Sequence, residues 1–461
     1  MDTTLALFRY FAGISPSSGL PAPGGQTWDK VAVAATTQNF APGTITDTVV
    51  MPNFAYLPAN VEIAGNLTVD GNLTFAGSNL VNLTQYGQQQ LATQRAQALT
   101  PWFAGLANRQ AARCNVAVIG DSITEGQHAV GPPSTGFQDR WIARLRDSLR
   151  SAYPTPFVTG GGQGFIGVQS TGETSFTWPT TINGSPTPAS TLGPKSSFLQ
   201  LNNTGQSVVY TLNGDSADIM WTQAPGGGTF SWAVDGGSAT NVSTSGGSIV
   251  DGKVTHISLG SAGQHTLTLA WVSGNADVTG VVEYWGDFSQ GIQVHDCGHF
   301  GWTTQNWITV LANGTTGPAA AIKALNPNLI IIALGVNDQF NNVLPATFQT
   351  NLQTIITDLQ AVLSTPFPSF VLCMYPPRTS QSSYTYPWAQ YVNAAWNVAG
   401  ADTSGPNLTP ITTVMDFTLG PRMPGADTDT YSLWQGGDLV HPSNKGHQMI
   451  GDYMTRFLTG S

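Results

Sequence analysis

Hydrophobic positions along this chain follow three rhythms. From residue 111 short apolar runs alternate with amphipathic stretches: 116–119 reads as a buried strand, and 136–150 as a helix with Trp141, Ile142, Leu145 and Leu149 on one face. The same alternation returns after residue 286. Helices are expected over 302–311, 319–325, 348–363 and 387–398, and strands over 329–334, 369–374 and 412–417. Pro318 stands at a helix entry, where its missing N–H costs nothing. Ser443 caps a last helix that carries Ile450, Tyr453, Met454, Phe457 and Leu458 at helical spacing. Strands alternating with helices predict an α/β fold, a doubly wound three-layer α/β/α sandwich.

Between these two stretches the rhythm shifts to a period of two. Runs at 207–212, 217–221, 228–234, 254–259, 265–270 and 278–285 are separated by Gly-rich turns. They predict an inserted β-sandwich, jelly-roll-like, over 161–285. The enzyme-like α/β part would then comprise 111–160 and 286–461.

The beginning of the chain has little apolar content of its own. Residues 1–60 read as an extended arm rich in Pro, Gly and Thr. Within 61–110, Gly65-Asn-Leu-Thr-Val and Gly71-Asn-Leu-Thr-Phe repeat at six residues. Two such copies cannot bury a core alone. Either several chains wind into a stem, three being the favoured number, or the segment is a hairpin packed on the rest. A Gln-rich helical connector follows over 82–109, with Leu91, Ala98, Leu99, Trp102, Phe103 and Leu106 as buried positions and Pro101 kinking or restarting it.

Composition narrows the reading. Only 9% of the 461 residues are charged and the net charge is −10. That balance argues against nucleic acid and against electrostatic binding to anionic membranes. No apolar run approaches the roughly 18 residues that span a bilayer. The opening residues lack a basic start, and Arg9 interrupts them, so they do not read as a signal peptide. Three cysteines make no disulfide framework; Cys114 and Cys373 fall in strand-like runs as buried thiols. Cys297 stands near His295, Asp296 and His299, without the spacing of a structural zinc site.

Four short blocks carry candidate chemistry, in order: Gly120-Asp-Ser122-Ile, Gly298-His-Phe-Gly301-Trp-Thr303, Gly335-Val-Asn337-Asp338 and Asp438-Leu-Val-His441-Pro442. A serine at a strand end needs a base to take its proton, and histidine is the residue that titrates near neutrality. Pro442 keeps His441 out of helical geometry, and Asp438 is close enough to turn back onto the imidazole. Asp121 and Asp338 read as turn-fixing residues. The Gly-x-Ser-x-Gly elbow of α/β-hydrolases, carboxylate pairs suited to glycoside cleavage and a phosphate-cradling loop are not evident.

Together the blocks resemble the signatures of the SGNH, or GDSL-type, serine esterases, over residues 111–160 and roughly 286–461. Ile123 replaces the usual Leu, and His299-Phe300 is an unusual lead into the second block, which leaves Gly298 as an alternative to Gly301. The resemblance implies a flavodoxin-like fold, a Ser122–His441–Asp438 triad, an oxyanion hole from Ser122, Gly301 and Asn337, and no metal or cofactor. Trp302, Trp221 and Trp232 are candidate sugar contacts, although each of the last two, taken singly, reads first as core of the insert. The hexad segment resembles stems of phage tail and fibre proteins.

The expected function is hydrolysis of an ester, most simply an O-acetyl group, on a surface glycan. The expected setting is an exposed virion tail, with other tail proteins as partners and a homotrimer formed through the stem. The alternatives are a secreted bacterial lipid or acyl esterase with an accessory β-domain, and a glycan-binding tail protein with a vestigial site.

Overall fold

The computed structural model describes residues 40–41, 44–45, 93–129, 137–155, 162–168, 178–378, 381–405, 410–418 and 423–460. The chain forms two compact units, 1–89 and 90–461. In the first, β1 (Phe40–Ala41) pairs antiparallel with β2 (Thr44–Ile45). The hexad repeat lies outside the described residues.

The second unit opens with residues 93–98 in helical conformation, a break at Leu99 and α1 (Thr100–Asn108). Pro101 sits in the first turn of α1, so it restarts the helix where its absent N–H is harmless. This helix belongs to the core. Trp102 is fully buried, and its indole N–H donates to the Leu458 carbonyl at 3.0 Å.

Five strands form a parallel sheet: β3 (Cys114–Gly120), β13 (Ile292–Gly298), β14 (Pro327–Ala333), β15 (Ser369–Met374) and β16 (Thr412–Asp416). Their order in space is β13-β3-β14-β15-β16, so the second strand in the chain flanks the first. That is the flavodoxin-like order, and it puts a switch point at β3, where ligands bind beyond the strand ends. The strands are apolar almost throughout because both faces are covered. Six helices supply the covering: α3 (Trp141–Ala152), α4 (Thr304–Leu311), α5 (Pro318–Ala324), α7 (Pro345–Val362), α8 (Trp388–Ala401) and α9 (Asn444–Thr459). α3 packs on α9, and α7 on α4, α5 and α8. Two shorter helices, α2 (Ser122–Glu125) and α6 (Val336–Phe340), follow β3 and β14.

The region between β3 and β13 is antiparallel: β4 (Gly164–Gly167), β5 (Thr180–Asn183), β6 (Thr187–Ser190), β7 (Ser197–Leu201), β8 (Ser207–Gln223), β9 (Thr229–Val234), β10 (Thr240–Ser243), β11 (Val250–Ser273) and β12 (Ala276–Tyr284). The expected jelly-roll-like sandwich has two separate sheets, whereas these nine strands join into one hydrogen-bonded network. The long strands β8 and β11 serve two groups of neighbours. Residues 207–210 of β8 pair with β5 and 216–222 with β12, while β11 runs along both halves. The insert has its own apolar cluster around Tyr210, Ile219, Phe230 and Leu269. It also shares the core of the α/β part through Phe165, Met220, Val282 and Tyr284. No helix among the described residues is long and apolar enough to cross a membrane.

Candidate active site

Three adjacent strands, β13, β3 and β14, lead at their carboxyl ends to Gly301, Ser122 and Asn337. β3 ends at Gly120, where a Cβ would lie 1.9 Å from Thr124 Oγ1. Asp121 then caps α2, its Oδ1 accepting the Ile123 N–H at 2.9 Å, and Ser122 takes the first helical position. Ser122 is buried but for 5% of its surface.

Asp438 and His441 come from the loop before α9. Asp438 Oδ1 accepts the backbone N–H groups of Val440 at 2.6 Å and His441 at 3.1 Å, and this turn holds Leu439 at φ 51°. Asp438 Oδ2 is 2.7 Å from His441 Nδ1, and His441 Nε2 is 2.8 Å from Ser122 Oγ. With the Nδ1 proton donated to Asp438, Nε2 is left to accept the serine hydroxyl. Partial burial works to raise the Asp438 carboxyl, but the hydrogen bond and charge of His441, with the two backbone donors, outweigh it and hold the group at about 2. A carboxylate so placed fixes the imidazole tautomer and stabilises an imidazolium.

Gly301 follows β13 in an exposed turn with φ +73°, a conformation that favours glycine, and open space where a Cβ would stand. Gly298 is different: a Cβ there would press on Thr124 and on the Asp121 carbonyl, so it is a packing glycine at a strand end. Asn337 is the second residue of α6 after β14, and its Nδ2 donates to the Trp302 carbonyl at 3.0 Å. An amide nitrogen carries two protons, so one remains for a ligand. Asp338 ties α6 to α4, accepting the Thr304 N–H at 3.1 Å and its hydroxyl; burial pushes its carboxyl up to about 6. Asp121 is also raised by burial, to about 7, and its Oδ2 has no hydrogen-bond partner. Both aspartates fix turns, as their positions imply.

The aromatic candidates separate. Trp302 is half-buried, follows Gly301 directly and stacks on His299 at a centroid distance of 3.9 Å. Trp221 is 7% exposed, with its indole N–H satisfied by Thr255 Oγ1 at 3.0 Å. Its ring packs in the apolar core of the insert, the alternative place its sequence position offers. Trp232 is partly buried against that same core.

The cysteines are buried free thiols. Burial pushes Cys114 up to about 12 and Cys297 higher still. His295 and His299 are pushed down by burial, to about 3 and about 4, and they turn to Asn115 and to the Lys195 carbonyl rather than to Cys297. Among the described residues the only group bringing three metal-ligand side chains together is His128, Asp438 and His441.

Two contributions escaped the sequence reading. Lys195, in the turn between β6 and β7, is fully buried and reaches Glu125 Oε1 at 2.6 Å and Asp296 Oδ2 at 3.4 Å. Arg140 meets the same Asp296 oxygen at 2.6 Å. The Lys195 carbonyl accepts from His299 Nδ1 at 3.0 Å, so one residue of the insert braces both the Ser122 turn and the loop leading to Gly301. The second is His128, with Nε2 3.1 Å from Asp438 Oδ2. Its only mark in the sequence was a histidine shortly after the candidate nucleophile.

Residues 246–449 match the GDSL-like Lipase/Acylhydrolase family model. The match is less than half of the chain; it takes in Gly301, Asn337, Asp438 and His441 and begins after Ser122. Among solved structures, a peptidoglycan O-acetylesterase is similar at 15% identity, over 79% of this chain and 96% of the other, with a TM-score of 0.55. At that identity the likeness speaks for a shared fold. A family two carbohydrate esterase from Cellvibrio japonicus aligns at 13% identity over 61% and 98% of the two chains, with a TM-score of 0.25. A salicylyl-acyltransferase from a tetracycline biosynthetic pathway aligns at 12% over 64% and 97%, with a TM-score of 0.32. These two superpose too loosely to bear on the argument. No curated protein matches the chain in sequence.

Proposed function

We propose that this chain is a serine carboxylic-ester hydrolase of the SGNH type that removes O-acetyl groups from a cell-surface polysaccharide. The observation that carries the reading is the continuous line of hydrogen bonds Ser122 Oγ–His441 Nε2–His441 Nδ1–Asp438 Oδ2, at 2.8 and 2.7 Å. Ser122 Oγ attacks the acyl carbon as His441 Nε2 takes its proton. The tetrahedral oxyanion is held by the N–H groups of Ser122 and Gly301 and by the spare Asn337 amide proton. His441 returns its proton to the departing sugar hydroxyl, and a water deprotonated by the same ring then releases acetate and restores Ser122. These side chains account for every proton, with no metal in the cycle.

The match to the GDSL-like family over 246–449 supports the ester chemistry. The glycan substrate is favoured by Trp302 beside Gly301, an aromatic face of the kind that packs against a sugar ring. In the test, the full chain hydrolyses p-nitrophenyl acetate and releases acetate from O-acetylated envelope polysaccharide, and Ser122→Ala loses both activities by about 10⁴-fold or more. Equal rates for the two proteins remove the hydrolase; a preference for long acyl esters over acetyl-glycan points to a lipid or acyl esterase.

The setting on a phage tail, with three chains joined through the hexad segment 65–75, rests on the sequence pattern. Light scattering of the full chain should give three times the chain mass of 48.6 kDa. A monomeric mass removes the stem.

A further inference from the structure

We propose that His128, Asp438 and His441 form an inhibitory site for a transition-metal dication of the zinc type. His128 Nε2 and His441 Nδ1 both converge on Asp438 Oδ2, at 3.1 and 2.7 Å, and the rings stand edge to face with centroids 5.5 Å apart. One ligand atom from each residue lies within 4.8 Å of the other two. Around a tetrahedral zinc with bonds of roughly 2.0–2.1 Å, neighbouring ligand atoms stand about 3.3 Å apart. The two contacts to Asp438 Oδ2, at 3.1 and 2.7 Å, need to lengthen by only a few tenths of an ångström to reach that spacing. Two imidazoles and one carboxylate suit zinc, copper or nickel and suit magnesium and calcium poorly. The side chains keep 27, 23 and 12% of their surface exposed, so an ion arrives directly from solvent.

His128 is held in place for this. Its backbone has φ 63°, a left-handed conformation that costs energy for any residue with a side chain. The two residues before it are held by hydrogen bonds. Gly126 and Gln127 donate their N–H groups to the Ser122 carbonyl at 3.0 and 2.9 Å, and His447 Nε2 donates to the Gln127 carbonyl at 3.1 Å.

The effect of binding rests on the proposed hydrolase, and its proton balance closes. The ion takes the Nδ1 lone pair of His441, and the proton that Nδ1 carried moves to Nε2. His128 makes the reverse exchange: the proton that Nε2 directs at Asp438 moves to Nδ1, and Nε2 takes the metal. No proton or electron is lost overall. The His441 nitrogen facing Ser122 now carries a hydrogen, so the hydroxyl has no base.

The test has two arms on the full chain. In chelator-free buffer ZnCl2 should inhibit p-nitrophenyl acetate hydrolysis, EDTA should restore it and MgCl2 should leave it unchanged. Separately, calorimetry of ZnCl2 binding to Ser122→Ala should give one ion per chain. The variant is His128→Asn, because asparagine tolerates the left-handed backbone, with His128→Gly as a second. Each is compared with its own metal-free rate. Loss of one ligand should raise the half-inhibitory zinc concentration about 10-fold or more, given that even weaker outer partners tune affinity 10- to 100-fold. Inhibition of both variants at the wild-type zinc concentration overturns the site, as does absence of binding heat in Ser122→Ala. Binding that depends on His128 in a chain that hydrolyses nothing keeps the metal site and removes the esterase.

Discussion

Lys195 Nζ and Glu125 Oε1 form an ion pair of 2.6 Å with neither side chain exposed, joining the inserted β-region to the helix that begins at Ser122. Removing the lysine leaves a buried carboxylate short of its cation. Lys195→Met should therefore cost about 3–5 kcal/mol of stability. Thermal unfolding of the variant checks the loss, and adding Glu125→Gln should recover part of it. A variant as stable as wild type would mean that the pair is not holding the insert to the site.

A different expectation attaches to Asn337. Its amide donates to the Trp302 carbonyl and retains a second proton, which the proposed mechanism gives to the oxyanion. Asn337→Ala should lower kcat by about 100- to 1,000-fold with a smaller change in KM, because an oxyanion donor acts in the transition state. An equal loss in Asn337→Asp, which is similar in shape but offers no amide donor, would identify donation rather than packing as the cause. Steady-state kinetics with p-nitrophenyl acetate decide.

Buried carboxyls and buried imidazoles pull stability in opposite directions as pH rises from about 4 to 7. Burial lifts Asp121 and Glu283 to about 7 and Asp338 to about 6, whereas carboxyls of an unfolded chain titrate near 4. Across that window the folded state binds more protons, so these groups favour folding below pH 4 and lose that contribution by pH 7. Asp438 acts oppositely: held at about 2, its contribution is present above pH 4 and is lost as pH falls toward 2. The buried imidazoles of His295, His299 and His447, pushed down to about 3, 4 and 3, act against the carboxyls: between those values and about 6.5 the unfolded chain binds more protons, so their contribution grows as pH rises. The carboxyl contribution is therefore read by difference: the melting temperature of Asp121→Asn should gain on that of wild type as pH rises from 4 to 7, and a difference that does not change with pH would contradict the assignment.

The α/β part was legible because its strands are unbroken apolar runs and its helices carry one apolar face. Ser369–Met374 forms the strand over its expected bounds, and Ser443 caps α9 as its position implies. The insert was legible as β, but its strand lengths were not. The runs at 207–212 and 217–221 merge into β8, and those at 254–259 and 265–270 into β11. Glycine there reads as a turn signal. The paired strands instead carry the chain through, with β11 shifting register between Ser258 and Gly263. Ser122 and His441, 319 positions apart, were connected in the sequence only by resemblance to a family. Lys195 and His128 are single polar residues with no periodic signal, and their partners become visible only in three dimensions.

The placement of β3 has a consequence for how the molecule is made. In the finished sheet Cys114 lies beside Ile292 on one side, and Asn115 lies beside Pro327 on the other. During synthesis the serine-bearing strand therefore leaves the ribosome long before either of its neighbours. An apolar segment must wait, unpaired, while the whole antiparallel insert is translated, which exposes it to aggregation and makes its pairing slow. Early folding of the insert, which already carries Phe165 and Met220 of the shared core, would give that waiting strand a surface to shelter against.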